Sequence, residues 1–180
     1  DEIRVEDIIT LQDQLNLHPT ALEAAYLISA KYKERWLEEL LFQKSNLKDV
    51  AADLGAHAES IGALYRKLKR IEKFPFLRKE KTTKSSCIDR LMGHLDQGIH
   101  VILEFGTQTS MLCYLLIANI ITRRIHERYV IKTERFLATQ NKADEPKRLM
   151  ITVEEAHKFL NTVSAKQTIF GIIAREMRKY

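Results

Sequence analysis

With 180 residues, 45% of them hydrophobic, and a formal net charge of +5, the chain has the length of one domain, or of one domain plus an insertion, and enough apolar material for a real core. The moderate basic excess permits contact with nucleic acid without demanding it. The longest apolar run, Met111 to Ile121, includes Asn119 and stops before Arg123-Arg124, well short of the roughly 20 residues a membrane span needs, so no membrane partner is expected. Asp1-Glu2-Ile3-Arg4 has no signal-peptide character, and Cys87 and Cys113 form no CxxC pair; two reduced thiols in a cytoplasmic protein are the expectation.

The first hundred residues read almost entirely as helix. Val5 to Leu15 is a short amphipathic segment stopped by His18-Pro19, and Thr20 is placed to cap a long helix running through about Phe42. Asn46 is a good cap for a third helix and Gly55 a good terminator. Ile61, Leu64, Leu68 and Ile71 then fall at spacings of 3, 4 and 3, a buried stripe. Phe74 to Ser86, with Pro75 and the basic stretch Arg78 to Lys84, breaks the pattern and marks an internal boundary. Ile88, Leu91, Met92 and Leu95 begin another helix, ended by Gly98.

Beyond Gly98 the pattern switches. Ile99 to Phe105 is a continuous apolar run with one acid, read as a core strand, and Gly106 to Ser110 turns the chain into a helix that is apolar on all sides from Met111 to Ile121 and continues as far as Gln140. Asn141 to Pro146 is a loop, and Leu149 to Val153 a second buried strand. Asn161 to Gln167 shows little periodicity, and a last helix starts near Thr168. Two strands joined by a long helix make one right-handed βαβ unit. The expected class is therefore α/β, predominantly helical, with a helical subdomain over residues 1–85 and a unit with few parallel strands over residues 86–180.

The most informative residues are Glu154 and Glu155, two adjacent acids at the end of the second strand. Ligands of open α/β sheets bind at that end, and neighbouring strand residues point to opposite faces. One acid can hold Mg²⁺ while the other orients an attacking water, as NTP hydrolysis requires. The same pair also reads as two solvated acids helping to cap the turn into Ala156-His157. No G-x-x-x-x-G-K-[ST] phosphate loop occurs in the chain.

Met150 to Phe159, with ITVEEAHKF at its centre, resembles the Walker B segment of HerA-type ATPases, relatives of the FtsK DNA translocases. Three further stretches are similar to the same family in the same order: Asp96 to Phe105, Ile117 to Arg124, and Ile172 to Tyr180. The resemblance covers about the second half of the chain, and the first half looks like the helical insertion such ATPases carry. It implies part of a RecA-like P-loop NTPase core lacking its Walker A loop, and hence a piece that by itself neither binds nor hydrolyses ATP. It implies Glu154 as the Mg²⁺ ligand, although most of the family has Asp there, and Glu155 as the catalytic carboxylate. Glu104, at the end of the neighbouring strand, is the runner-up for polarising water. Arg175 and Arg178, one turn apart, would reach the γ-phosphate bound to a neighbour in a ring, or form a salt bridge at the ring interface. ATP and Mg²⁺ are the implied cofactors of the intact protein. DNA held through its backbone, further copies in a ring, and a nuclease or another effector are the implied partners.

Two other readings compete. One is a defective ATPase relative acting as a scaffold. The other is a non-catalytic DNA-binding module built on a helix-turn-helix-like hairpin over residues 47–71. With Gly55 as the turn glycine, Ala51 stands four residues before it, and Val50, Leu54, Ile61 and Leu64 occupy positions where the motif needs apolar packing. His57, Ser60, Tyr65, Arg66 and Lys67 then lie on the second helix, followed by Lys69, Arg70 and Lys73. An ordinary αα-hairpin has nearly the same pattern, and Gly62 inside the second helix costs about 1 kcal/mol relative to Ala. His157 shows no ligand spacing with the other histidines and reads as a structural residue.

Overall fold

The computed structural model describes residues 3–42, 46–77, 86–104, 110–158 and 169–176. Its contacts divide the chain into two compact units, Glu2–Thr82 and Thr83–Tyr180.

In the first unit the segment expected as one helix over Val5–Leu15 forms two, α1 (Val5–Ile9) and α2 (Gln12–Leu15). Thr10 sits at the break, where its Oγ1 donates to the carbonyls of Glu6 and Asp7, both at 2.9 Å. A hydroxyl that takes up backbone carbonyls in this way competes with helix continuation. The next helix, α3 (Pro19–Tyr32), is capped by His18 rather than Thr20: His18 Nδ1 accepts the Thr20 N–H at 3.4 Å. Pro19 takes the first helical position, where a missing N–H costs nothing. The long helix expected through Phe42 is interrupted at Lys33, which takes φ 52 and opens a 3-10 turn, Lys33–Arg35. The chain re-enters helix as α4 (Trp36–Phe42), with Trp36, Leu37, Leu40 and Leu41 all buried. Trp36 Nε1 donates to the Ile3 carbonyl at 2.8 Å, tying the start of the described chain to this helix.

Asn46 caps α5 (Leu47–Leu54), accepting the Lys48 N–H at 3.2 Å, and Gly55 ends it at φ 62. That left-handed conformation disfavours a residue with a Cβ. Next comes α6 (Ala58–Leu68), which packs against α3 and α5. Its inner stripe, Ile61, Leu64 and Leu68, together with Ile71 beyond it, is fully buried, so the periodicity marked this face correctly.

In the second unit Ser86 caps α7 (Cys87–Gln97), accepting the Ile88 N–H at 3.1 Å, and Gly98 ends it at φ 81. One long helix, α8 (Met111–Thr139), covers both the apolar run and its polar continuation. Ile88, Leu91 and Met92 of α7 pack with Ile125 of α8, and Leu95, Ile121, Tyr129 and Leu149 border the cluster. Two exposed ion pairs flank this seam, Arg128–Asp89 at 2.7 Å and Lys132–Asp96. Partner numbers rise together along both helices, so α7 and α8 run in the same direction. Each pair contributes at most about 1 kcal/mol, which leaves the apolar seam as the main source of stability. The polar residue of the apolar run has a structural role. Buried Asn119 accepts the N–H of Ile169 at 3.3 Å, an otherwise orphaned donor in the first turn of α9 (Ile169–Glu176).

The α/β expectation is overturned. Among the described residues there is no strand, and neither Ile99–Phe105 nor Leu149–Val153 joins a ladder. Residues 99–104 are non-helical and exposed, Ile102 at 89%; in the second run Met150 stands 86% exposed, while Leu149 packs on the α7–α8 cluster. Phe105 lies outside the described residues. The physical reason is that an apolar run reads the same whether or not a neighbouring strand completes its backbone hydrogen bonds. The βαβ unit falls with the strands, although its helix is present as α8.

Both cysteines are free: Cys87 is exposed and Cys113 is buried in α8. Burial pushes the Cys113 thiol up, making its reactive thiolate scarcer. Under native conditions a thiol reagent is therefore expected to modify Cys87 quickly and Cys113 only on unfolding. Peptide mass spectrometry over time checks this, and equal rates would contradict the packing of α8.

Candidate functional site

The two acids singled out by sequence stand on a turn. Glu154 and Glu155 follow the exposed run ending at Val153 and lead into a 3-10 turn, Ala156–Lys158. The placement on opposite faces of a strand is therefore not what the structure has. Both acids are exposed, and His157 Nε2 lies 3.5 Å from Glu155 Oε2 with both side chains largely in solvent.

Glu155 is distinguished by its backbone, at φ 52. Four non-glycine residues among those described have positive φ, and three of them end helices: Asn16 and Gln140, each a left-handed residue that closes the last turn, and Lys33, with ψ −128, at the break after α3. Glu155 ends no helix. For a residue with a side chain this conformation costs on the order of 1–3 kcal/mol and tends to be held where a side chain must be aimed.

Glu104, the alternative carboxylate, is exposed at the end of the first apolar run. Arg175 lies in the last turns of α9, while Arg178 and Phe159 lie outside the described residues. Among the described residues no group of three or more His, Cys, Asp and Glu could hold a metal ion as a protein-only cage. A Mg²⁺ site does not require one, because Mg²⁺ keeps several waters and takes one or two carboxylates together with substrate phosphates. Exposed Glu154 suits such a ligand role.

The first unit carries a different kind of surface. On α6, away from the buried stripe, Glu59 and Arg66 are exposed and Ala63 is half-buried; the spacing of 4, 3, 4 and 3 continues in the sequence through exposed Arg70, on the turn after α6, and exposed Lys73, in the 3-10 turn Ile71–Lys73. Lys69 pairs with Glu72 at 2.5 Å and Lys31 pairs with Asp53. Arg66, Lys67, Arg70 and Lys73 enter no ion pair among the described residues. Gly62, a flaw on helix propensity, makes room: a Cβ built there would lie 3.3 Å from Arg66 Nη1. Sequence spacing alone identifies this stripe, but which of its cations are unpaired emerges only from the fold. The basic stretch Arg78–Lys84 lies outside the described residues.

Comparisons with family models, with curated proteins and with solved structures find no match to this chain. Among the described residues no helix is long and apolar enough to cross a membrane.

Proposed function

We propose that the chain is part of an ATP-hydrolysing DNA translocase of the HerA type, with Glu154 as a Mg²⁺ ligand and Glu155 as the carboxylate that orients the attacking water. The sequence support is the order of four stretches similar to that family. The structural observation that carries the reading is the left-handed Glu155, an acid held in a costly conformation with its side chain in solvent and no helix end to explain it. Mg²⁺ bound there would neutralise phosphate charge. The chain's own contribution is to hold two carboxylates side by side on an exposed turn. The donors that fix the phosphates belong to a loop this sequence does not contain, so the 180 residues alone are expected neither to bind nor to hydrolyse ATP. The working protein on this reading carries that loop, assembles as a ring of copies on DNA and acts with a nuclease or another effector, with Arg175 and Arg178 reaching a neighbour's nucleotide.

The test uses the longer protein that carries the phosphate loop. Glu155→Gln keeps shape and removes charge; it is expected to abolish turnover while leaving nucleotide binding intact. Glu154→Gln is expected to weaken Mg²⁺-dependent nucleotide binding as well. Steady-state hydrolysis and calorimetry read the two effects. Turnover near the wild-type rate in Glu155→Gln would transfer the role to Glu104, and a wild-type protein without turnover would favour the scaffold reading.

A further inference from the structure

We propose that the α5–α6 hairpin is a docking element for duplex DNA, with α6 laid in the major groove and Arg66, Arg70 and Lys73 on the phosphates beside it. Three observations carry this inference, and none depends on ATP hydrolysis.

The first is the turn. An eight-residue helix, the three residues Gly55-Ala56-His57 and an eleven-residue helix reproduce the proportions of a helix-turn-helix. Gly55 is left-handed, its N–H bonds Ala52 O at 3.3 Å, and the Ala56 N–H bonds Ala51 O at 2.9 Å. These bonds satisfy the last carbonyls of α5 while the chain reverses into α6.

The second is packing. Ala51, four residues before the turn glycine, is 2% exposed, and Ile61 and Leu64 are fully buried. Within the first unit α6 packs on α3, α4 and its hairpin partner α5, while Glu59 and Arg66 on its other side are exposed.

The third is the composition of that face. Small Ala63 sits on that face between Glu59 and Arg66, so the backbone can approach the groove closely there. Beside it come three exposed cations, unpaired among the described residues: Arg66 on α6, Arg70 on the turn that follows and Lys73 in the 3-10 turn Ile71–Lys73, placed to meet phosphates flanking the groove. Exposed Glu59 works against phosphate, and the two exposed acids of α5 include Asp53, which Lys31 holds. With most of the free charge aimed at the backbone, the binding is expected to be largely independent of sequence.

The experiment is fluorescence anisotropy of the 180-residue chain, without nucleotide, on several unrelated labelled duplexes and on one of their single strands, between about 50 and 200 mM salt. Three phosphate contacts predict that the affinity falls about 40-fold over that fourfold rise in salt, at a slope of about −0.9 per contact. Arg66→Gln and Arg70→Gln are each expected to flatten the slope by about 0.9, whereas Lys142→Gln, an exposed lysine of the other unit, leaves it unchanged. Circular dichroism confirms that each variant is folded. Slopes unchanged in Arg66→Gln and Arg70→Gln, an equal change in Lys142→Gln, or single strands bound as tightly as duplex would each overturn the proposal. Because no ATP is present, either result leaves the hydrolysis reading to its own test.

Discussion

Trp36→Ala is expected to destabilise the first unit by about 3–5 kcal/mol, a large fraction of a typical domain stability of about 5–15 kcal/mol. Trp36 is 1% exposed and is the single tryptophan of the chain. Truncation removes the largest buried side chain of this unit, and the cavity cannot collapse without moving α4. It also leaves the Ile3 carbonyl without the indole donor at 2.8 Å. Trp36→Phe separates the two losses, since it keeps an aromatic ring but no N–H, and about 1–3 kcal/mol is expected from the unsatisfied carbonyl. Urea denaturation followed by circular dichroism gives both values, and in the unmutated chain Trp36 fluorescence reports burial directly. An Ala variant within about 1 kcal/mol of the parent would mean that Trp36 is not the anchor of this unit.

Leu64→Ala is expected to cost about 2–5 kcal/mol, the range for deleting a fully buried leucine. Leu64 stands between Ile61 and Leu68 on the inner stripe of α6, all of them without solvent exposure. Its half-buried neighbour Ala63 faces the other way, and Ala63→Ser should stay within about 0.5 kcal/mol. The contrast between adjacent positions tests the orientation of α6, on which the DNA-docking proposal also relies. Hydrogen exchange in α5 and α6 would show where the loss falls. Equal costs at residues 63 and 64 would mean that the helix is rotated from the orientation described.

The candidate hydrolytic site is legible in the sequence as a pair of acids after an apolar run, but its form is not. Periodicity leads to a strand with Glu154 and Glu155 on opposite faces; the structure has a turn with Glu155 left-handed. A backbone in an unusual conformation leaves no trace in residue type when the residue is not glycine. Gly62 misleads for a related reason: its helix cost is visible in sequence, while the space it leaves for the Arg66 side chain is not. The break at Lys33 is hidden because the flanking residues are all compatible with helix, and the demand to bury Trp36 comes from Ile3, thirty-three residues away.

What the sequence by itself determined is local. The cap Asn46, the terminators Gly55 and Gly98, the inner stripe of α6 and the extent of α8 all depend on bonds or contacts within a few residues, and each stands where the pattern placed it. Only the tertiary structure decided whether Ile99–Glu104 and Leu149–Val153 pair as strands, which segment Asn119 caps, and which cations remain unpaired once Lys31 meets Asp53 and Arg128 meets Asp89. Those outcomes turn on partners far along the chain. A strand's hydrogen bonds and a charge's partner are properties of two segments, so neither one carries the answer alone.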